Sequence, residues 1–228
     1  MMSEEQCHVP GPFCSIIRAA RAGSMTSGAG QAARRSRRGS MLQSSTPPAR
    51  YMTLDLACAE IRLATPEDAP ELTALLHRAY ASLGEMGLCF MAVDQSEAAT
   101  LRRMARGECY LATAGYRLLG TILFAPPAMT HGSPWLDRPG VASLHQFAVE
   151  PALQRSGLGS RLMAWAESRA RDCGAAEIAL DTAEPAIHLR AWYASRGYRE
   201  IEFAQWQHTN YRSIIMSKPL NPRDAAVR

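Results

Sequence analysis

The stretch that decides the fold is Gln154–Ser160, which reads Gln-Arg-Ser-Gly-Leu-Gly-Ser. It stands between an apolar run, Leu144–Val149, that is typical of a half-buried strand and an amphipathic run, Leu158–Cys173, that is typical of a helix. Two glycines at such a junction leave backbone N–H groups uncovered at the positive end of a helix dipole. The junction therefore predicts a binding site for the phosphate groups of a ligand.

Two other phosphate-binding motifs do not fit this stretch. A dinucleotide fingerprint requires a third glycine where the chain has Leu162, together with an acidic residue at a second strand end. A P-loop requires a lysine beside the glycine, and the only lysine in the chain is Lys218. The remaining pattern, Gln-x-x-Gly-x-Gly, resembles the pyrophosphate-binding motif of the GNAT superfamily of N-acetyltransferases.

A second motif lies downstream, at Trp192–Tyr198. The pattern predicts a helix over Ala186–Arg196 that stops at Gly197, because glycine suits the left-handed turn after a helix. The segment resembles the aromatic-Tyr-x-x-x-Gly-aromatic signature of the last GNAT motif, and a predicted strand at Ala175–Thr182 separates the two motifs, as in that family. One departure is Ala186, which stands where the family often has an asparagine that supports the site.

Hydrophobic patterns predict the remaining elements. In chain order they are a strand at Ile61–Leu63, a helix from Thr65 through Ala79, a helix at Gln95–Arg106, a hairpin of Cys109–Ala114 with Leu118–Ala125, a loop at Pro126–Gly140, and strands at Glu200–Phe203 and Tyr211–Met216. The apolar face of the helix after the glycine loop is predicted to be Leu158, Leu162, Trp165, Ala166 and Cys173.

The order of these elements predicts an α/β fold with a mixed sheet and helices on both faces. The resemblance implies a GNAT-like, mostly antiparallel central sheet that is splayed between strands 4 and 5, here the strands of Leu144 and Glu177. Splayed strands expose main-chain groups that need partners. The resemblance implies that the amide-rich pantetheine arm of acetyl-CoA pairs with them.

Charge divides the chain into unlike parts. Residues 1–50 carry seven arginines and two glutamates, so this segment accounts for the net charge of +4 and the rest is close to neutral. We expect residues 1–51 to be a disordered basic tail or a mis-assigned start, residues 52–220 to be the acetyltransferase domain, and residues 221–228 to be a C-terminal tail. A targeting peptide remains open for the first segment.

Composition also bears on the setting of the protein. The six cysteines form no Cys-x-x-Cys pair and no zinc-ligand spacing, so no metal is expected and a reducing cytoplasm fits best. Cys89, Cys109 and Cys173 lie in apolar runs and are expected in the core. No run of about 20 apolar residues predicts a membrane span. Arginine outnumbers lysine 24 to one, which suggests a bacterial source with a GC-rich genome.

The resemblance assigns roles to individual residues. Tyr193 matches the family position that protonates or hydrogen-bonds the CoA sulfur. His145 stands near the position of the family's general base, and a histidine is suited to that role at neutral pH; a structural role for it stays open, and Glu150 is expected to be solvated. The residues expected to hold acetyl-CoA are Phe147, Ala148, Val149, Gln154, Arg155, Ser156, Gly157, Leu158, Gly159 and Ser160.

The expected function is transfer of acetyl from acetyl-CoA to a primary amine of a small molecule or peptide, by direct attack in a ternary complex. Asp181 and Glu202 are candidates to hold the amine, and Trp135, Trp206 and Tyr211 are candidates to line its pocket. Two alternatives stay open: a non-catalytic acyl-CoA-binding regulatory module, and a nucleic-acid-associated protein acting through Arg34–Arg38, for which the near-neutral domain gives little support. A homodimer is also possible.

Overall fold

A seven-stranded sheet forms the centre of the protein in the computed structural model, which describes residues 56–220. The predicted tails, residues 1–51 and 221–228, and the first four residues of the predicted domain lie outside the described residues. The strands and helices are, in chain order, β1 (Glu60–Leu63), α1 (Ala69–Glu85), α2 (Glu97–Met104), β2 (Glu108–Ala114), β3 (Arg117–Ala125), β4 (Val141–Val149), α3 (Leu158–Asp172), β5 (Glu177–Ala183), α4 (Ile187–Ala194), β6 (Arg199–Ala204) and β7 (Ser213–Pro219).

The sheet is mixed, with the spatial order β1-β2-β3-β4-β5-β7-β6. Every neighbouring pair is antiparallel except β4 and β5, which run parallel. The parallel pairing extends only from Val141 opposite Glu177 to Leu144 opposite Leu180, although both strands continue beyond it. The predicted mixed sheet, splayed between strands 4 and 5, is confirmed.

Helices cover both faces of the sheet, because the side chains of each strand alternate between two cores. On one face, α3 packs through Leu162 and Ala166 against a cluster that includes Tyr110 and Ala112 of β2. On the other face, α1 packs through leucines against a cluster that includes Cys109 and Leu111 of the same strand, and those leucines are Leu72, Leu75 and Leu76. Both faces are therefore buried, as the nearly unbroken apolar run of β3 requires.

A bulge in β4 bends the strand at the point where it leaves β5. Thr121 and Leu123 of β3 lie opposite Ala148 and His145, so two residues of β4 face one residue of β3. Gln146, at the bulge, has a φ of 46°, an unusual conformation for a residue other than glycine. The bulge re-aims the backbone of the second half of β4, which borders the gap.

Some predicted placements are wrong in detail. Trp165 is 43% exposed and leans against the Tyr110 ring, while Met163 takes its place in the core. Cys89 is exposed, because it lies in the turn after α1, where its N–H donates to the Asn210 side chain; Cys109 is buried and Cys173 is half-buried. No helix among residues 56–220 is long and apolar enough to cross a membrane.

Candidate active site

The open edge of β4 presents main-chain groups toward the gap. Glu150 donates its N–H to the Leu119 carbonyl of β3 at 2.9 Å. Since successive N–H groups of a strand point to opposite edges, the N–H of Val149 points toward the gap and that of Ala148 points toward β3. β5 does not pair with β4 beyond Leu144, so this edge has the hydrogen-bonding capacity of an unfinished strand.

The glycine loop lies beside that edge and has donors to spare. Arg155 and Gly157 adopt left-handed conformations, with φ of 65° and 92°, which turn the chain sharply before α3 begins. Within residues 56–220, no hydrogen bond occupies the backbone N–H groups of Gly157, Gly159 or Ser160. Gln154 through Gly157 are exposed, so these donors can be reached from solvent. A loop of this kind fits the phosphates of a nucleotide-containing cofactor.

Close contacts join the loop, the strand edge and α4 into one site. A Cβ atom on Gly159 would lie 3.2 Å from the Phe147 ring and 3.5 Å from a Val149 methyl group, so a larger residue here would press on the Phe147 ring. The Phe147 ring stacks on Trp192 of α4 with 5.6 Å between centroids. Leu158, which was also predicted to hold the cofactor, has its side chain buried in the core. Its N–H donates to the Ser156 hydroxyl at 3.4 Å.

Tyr193 lies at the inner end of this arrangement. It is 7% exposed and packs against the rings of Trp192 and Tyr198. Burial raises the pKa of its phenol far above the ordinary value, so the hydroxyl stays protonated at neutral pH. Among the described residues its hydroxyl makes no hydrogen bond, which leaves the proton available to a ligand.

Comparison with known proteins now decides the family. The model of the acetyltransferase (GNAT) family matches residues 73–198, more than half of the chain. The protein belongs to the GNAT family. It is therefore an acyltransferase enzyme, and the predicted family, fold and enzyme class are confirmed.

Individual relatives agree with this assignment. The chain is 30% identical over 142 residues to the S-(2-succino)cysteine N-acetyltransferase of Bacillus subtilis (strain 168), a match that spans 60% of this chain and 82% of that protein. The ribosomal-protein-S18-alanine N-acetyltransferase of Escherichia coli superposes with a TM-score of 0.55 at 20% identity, over 75% of this chain and 99% of that one. A Bacillus subtilis acetyltransferase in complex with CoA gives a TM-score of 0.51 at 24% identity, over 72% and 99%. Both structural likenesses bear on the fold alone.

His145 of this GNAT domain has a defined hydrogen-bonding state. The Thr130 hydroxyl reaches the Ala125 and Pro126 carbonyls at 3.1 and 3.2 Å and must donate to them, because carbonyls only accept. It therefore accepts from Ser143 at 2.9 Å, and Ser143 in turn accepts from His145 Nε2 at 2.9 Å. This chain of bonds assigns the proton of neutral His145 to Nε2 and leaves Nδ1 as the basic nitrogen.

Burial lowers the pKa of His145, and the charge of Asp181 partly offsets this effect. The histidine is therefore neutral at pH 7 and able to accept a proton. His145 and Tyr193 both line a cavity of about 340 Å³, which also contains Phe147 of the open edge. The structure thus brings the two predicted catalytic side chains to one cavity of the GNAT domain.

Only some of the residues predicted to bind the acceptor line the cavity. Asp181, Trp206 and Tyr211 line the cavity, and the Asp181 carboxylate accepts hydrogen bonds from Trp206 Nε1 at 2.9 Å and the Ser213 hydroxyl at 3.0 Å. Glu202 and Trp135 do not line it; instead, Glu202 accepts the N–H of Trp135 at 3.0 Å.

The prediction that Glu150 is solvated is wrong. Its side chain is buried and pairs with Arg78 of α1 at 2.7 Å, because α1 crosses the end of β4 at this point. The ion pair ties α1 to the residue that follows the open edge.

Several residues of the site could not be found from the sequence. Tyr80 of α1 donates its hydroxyl to the Phe147 carbonyl at 3.1 Å, on the same open edge. Arg196, after α4, donates to the hydroxyl and carbonyl of Ser160 at 2.9 and 3.2 Å, and so links the second motif to the glycine loop. The spacing of Arg102, Arg103 and Arg106 is visible in the sequence, but nothing there indicates that they reach the cavity.

The described residues contain no group of three His, Cys, Asp or Glu side chains that could hold a metal ion.

Proposed function

We propose that the protein transfers acetyl from acetyl-CoA to a primary amine, by direct attack within a complex that holds both substrates. One observation carries the proposal: the spare N–H groups of Gly157, Gly159 and Ser160 lie beside the unpaired edge of β4, with Phe147 in contact with Gly159. A pyrophosphate with an amide-rich arm needs both surfaces, side by side. The CoA-bound structural relative supports the choice of ligand.

The binding residues have distinct tasks in this proposal. The loop N–H groups hold the pyrophosphate, and the exposed Arg155 adds a charge-assisted contact. The main-chain groups of Phe147 and Val149 pair with the pantetheine arm, and Ala148 acts as the spacer between them because its own N–H faces β3. The Phe147 carbonyl already accepts from Tyr80 but has a second lone pair to offer.

The catalytic residues move protons. Bound acetyl-CoA supplies a thioester whose carbonyl carbon is open to attack by an amine. The Val149 N–H donates to the carbonyl oxygen as negative charge develops there. Tyr193, protonated and without a protein partner, donates its proton toward the sulfur, and His145 Nδ1 accepts the proton released by the amine.

The acceptor is a small molecule or a peptide, and the volume of the cavity, about 340 Å³, is in the range of small-molecule sites. The Bacillus relative carries an acceptor in its name, S-(2-succino)cysteine. We therefore propose this compound as the first acceptor to test.

Calorimetric titration of acetyl-CoA into the full-length protein tests the proposal. Wild-type protein should bind saturably. Gly159→Glu should abolish binding, because the added side chain meets Phe147 and brings negative charge to the pyrophosphate site. Ala164→Glu, which adds the same charge on the exposed side of α3, is the matched control and should bind normally. Equal binding by both variants, or no binding by folded wild type, would contradict the proposal.

A further inference from the structure

Three arginines border the catalytic cavity without a carboxylate partner. Arg102 and Arg103 belong to the last turn of α2, Arg106 follows it, and all three line the cavity that Tyr193 and His145 also line. None of the three takes part in an ion pair within residues 56–220. Six other arginines and Lys218 do pair with carboxylates in the same part of the chain. The cavity therefore holds cationic groups that the protein itself does not neutralise.

Arg103 is the most buried of the three arginines. Its side chain is partly buried, and the loss of solvation lowers the pKa of its guanidinium, which remains charged at neutral pH. Its hydrogen bond, from Nη1 to Gln95 Oε1 at 2.7 Å, uses one of five N–H donors. The amide of Gln95 is fixed in turn by the Thr100 hydroxyl at 2.7 Å, so the guanidinium is held in place with donors left over.

Among the described residues, the lining of the cavity offers this cluster one counter-ion. It is the carboxylate of Asp181, whose Oδ2 also accepts hydrogen bonds from two neutral donors. Three arginines against one aspartate leave two positive charges. Three histidines, His131, His145 and His208, also line the cavity, and burial lowers the pKa of His145 and His208 so that these two add no charge. A cationic acceptor such as a polyamine would meet repulsion here.

Two simpler explanations account for only part of the cluster. Cations are favourable at the C-terminus of a helix, which suits Arg102 and Arg103, but an exposed position would serve that purpose equally well. Binding of the CoA pyrophosphate does not explain them either. No residue of the glycine loop, Gln154–Ser160, lines the cavity that the arginines share with Tyr193.

We propose that the acceptor is a small amine that carries one or more carboxylate groups, and that Arg102, Arg103 and Arg106 bind those carboxylates while the amine lies near His145 and Tyr193. This inference rests on the proposed acetyl transfer and narrows its acceptor class. Guanidinium groups pair with carboxylates through two parallel hydrogen bonds, so the cluster would orient the acceptor as well as attract it.

The test compares each carboxylated acceptor with its amide, which lacks the negative charge, and with a cationic amine. Full-length protein is assayed by thiol release from acetyl-CoA with S-(2-succino)cysteine, S-carboxymethylcysteine and L-glutamate, each beside its fully amidated form, and with cadaverine as a cationic amine. Carboxylated acceptors should be acetylated with a kcat/KM at least tenfold above that of their amides. Equal or better use of the amides or of cadaverine would overturn the inference.

Single arginine substitutions test which side chains bind the carboxylates of the acceptor. Arg103→Gln and Arg106→Gln should each raise the KM for a carboxylated acceptor about tenfold to hundredfold, as expected for a lost charge-assisted pair, and should leave the KM for acetyl-CoA unchanged. Arg199→Gln, outside the cavity, is the control for loss of one charge and should leave both constants unchanged. If Arg103→Gln does not fold, the exposed Arg102 and Arg106 carry the test. Unchanged acceptor KM in folded variants would overturn the inference.

The proposed acetyl transfer and the proposed acceptor class can fail separately. If acetyl-CoA binds but no carboxylated amine is bound or acetylated, the acceptor class is wrong and the proposed acetyl transfer stands with another amine. If folded wild-type protein does not bind acetyl-CoA, the proposed function is wrong, and the acceptor class falls with it.

Discussion

Replacing Tyr193 by phenylalanine removes one hydroxyl and keeps the ring that packs between Trp192 and Tyr198. Because that hydroxyl makes no hydrogen bond among the described residues, its loss should change the free energy of unfolding by well under 1 kcal/mol. The effect on the chemical step should be large. A positioned proton donor typically contributes a factor of about 10²–10⁴ in rate, or about 3–5 kcal/mol of transition-state stabilisation.

Tyr198→Phe is the matched control. Tyr198 is also buried, but its hydroxyl donates to Glu167 Oε1 at 3.3 Å, and neither Tyr198 nor Glu167 lines the cavity. Its loss should cost about 1 kcal/mol of stability and leave kcat nearly unchanged. The two variants thus predict opposite patterns in two measurements.

The assays are urea unfolding and steady-state thiol release at saturating acetyl-CoA, both on the full-length protein. Tyr193→Phe should also bind acetyl-CoA with nearly wild-type affinity in calorimetry, since the ring still fills its place. A kcat within threefold of wild type would refute the role of Tyr193 as proton donor. A large loss of stability would show instead that the hydroxyl has a structural partner.

Two further predictions concern the strand edge and the base. Arg78→Ala should lower the free energy of unfolding by about 1–3 kcal/mol, because it leaves the buried Glu150 carboxylate without its partner. The control Arg212→Ala removes an exposed ion pair and should lower it less. Equal losses of stability in urea unfolding would contradict this prediction. His145→Gln should lower kcat about 100-fold or more. In the wild type, the acid limb of the pH profile of kcat/KM should lie below pH 6.5, because the neutral histidine acts and burial lowers the pKa of His145. The variant should lose this limb, and a limb that persists would assign the base to another residue.

Local sequence determined most of the elements of this protein. Glycine at positions 157 and 159 fixed the turn and the close approach at the start of α3, and the apolar runs of β2 and β3 predicted two strands, whose alternate side chains enter two cores. The splay between strands 4 and 5 was predicted through family resemblance. The spatial order of the seven strands was not predicted, since hydrophobic periodicity carries no information about which strands are neighbours. Helix ends moved by a few residues, as α2 shows: it begins at Glu97 after the cap Ser96, two residues later than predicted.

Only the tertiary structure decided what surrounds the candidate catalytic groups. The partner of Glu150 is 72 residues away in the chain, and the hydroxyl chain that sets the tautomer of His145 begins in a loop 15 residues before it. Arg103 is a candidate for acceptor binding because the fold places the end of α2 at the cavity. Local structures such as a glycine turn or an amphipathic helix are determined by residues that are close together in the sequence. Burial, charge pairing and proton position depend on residues that folding alone brings together.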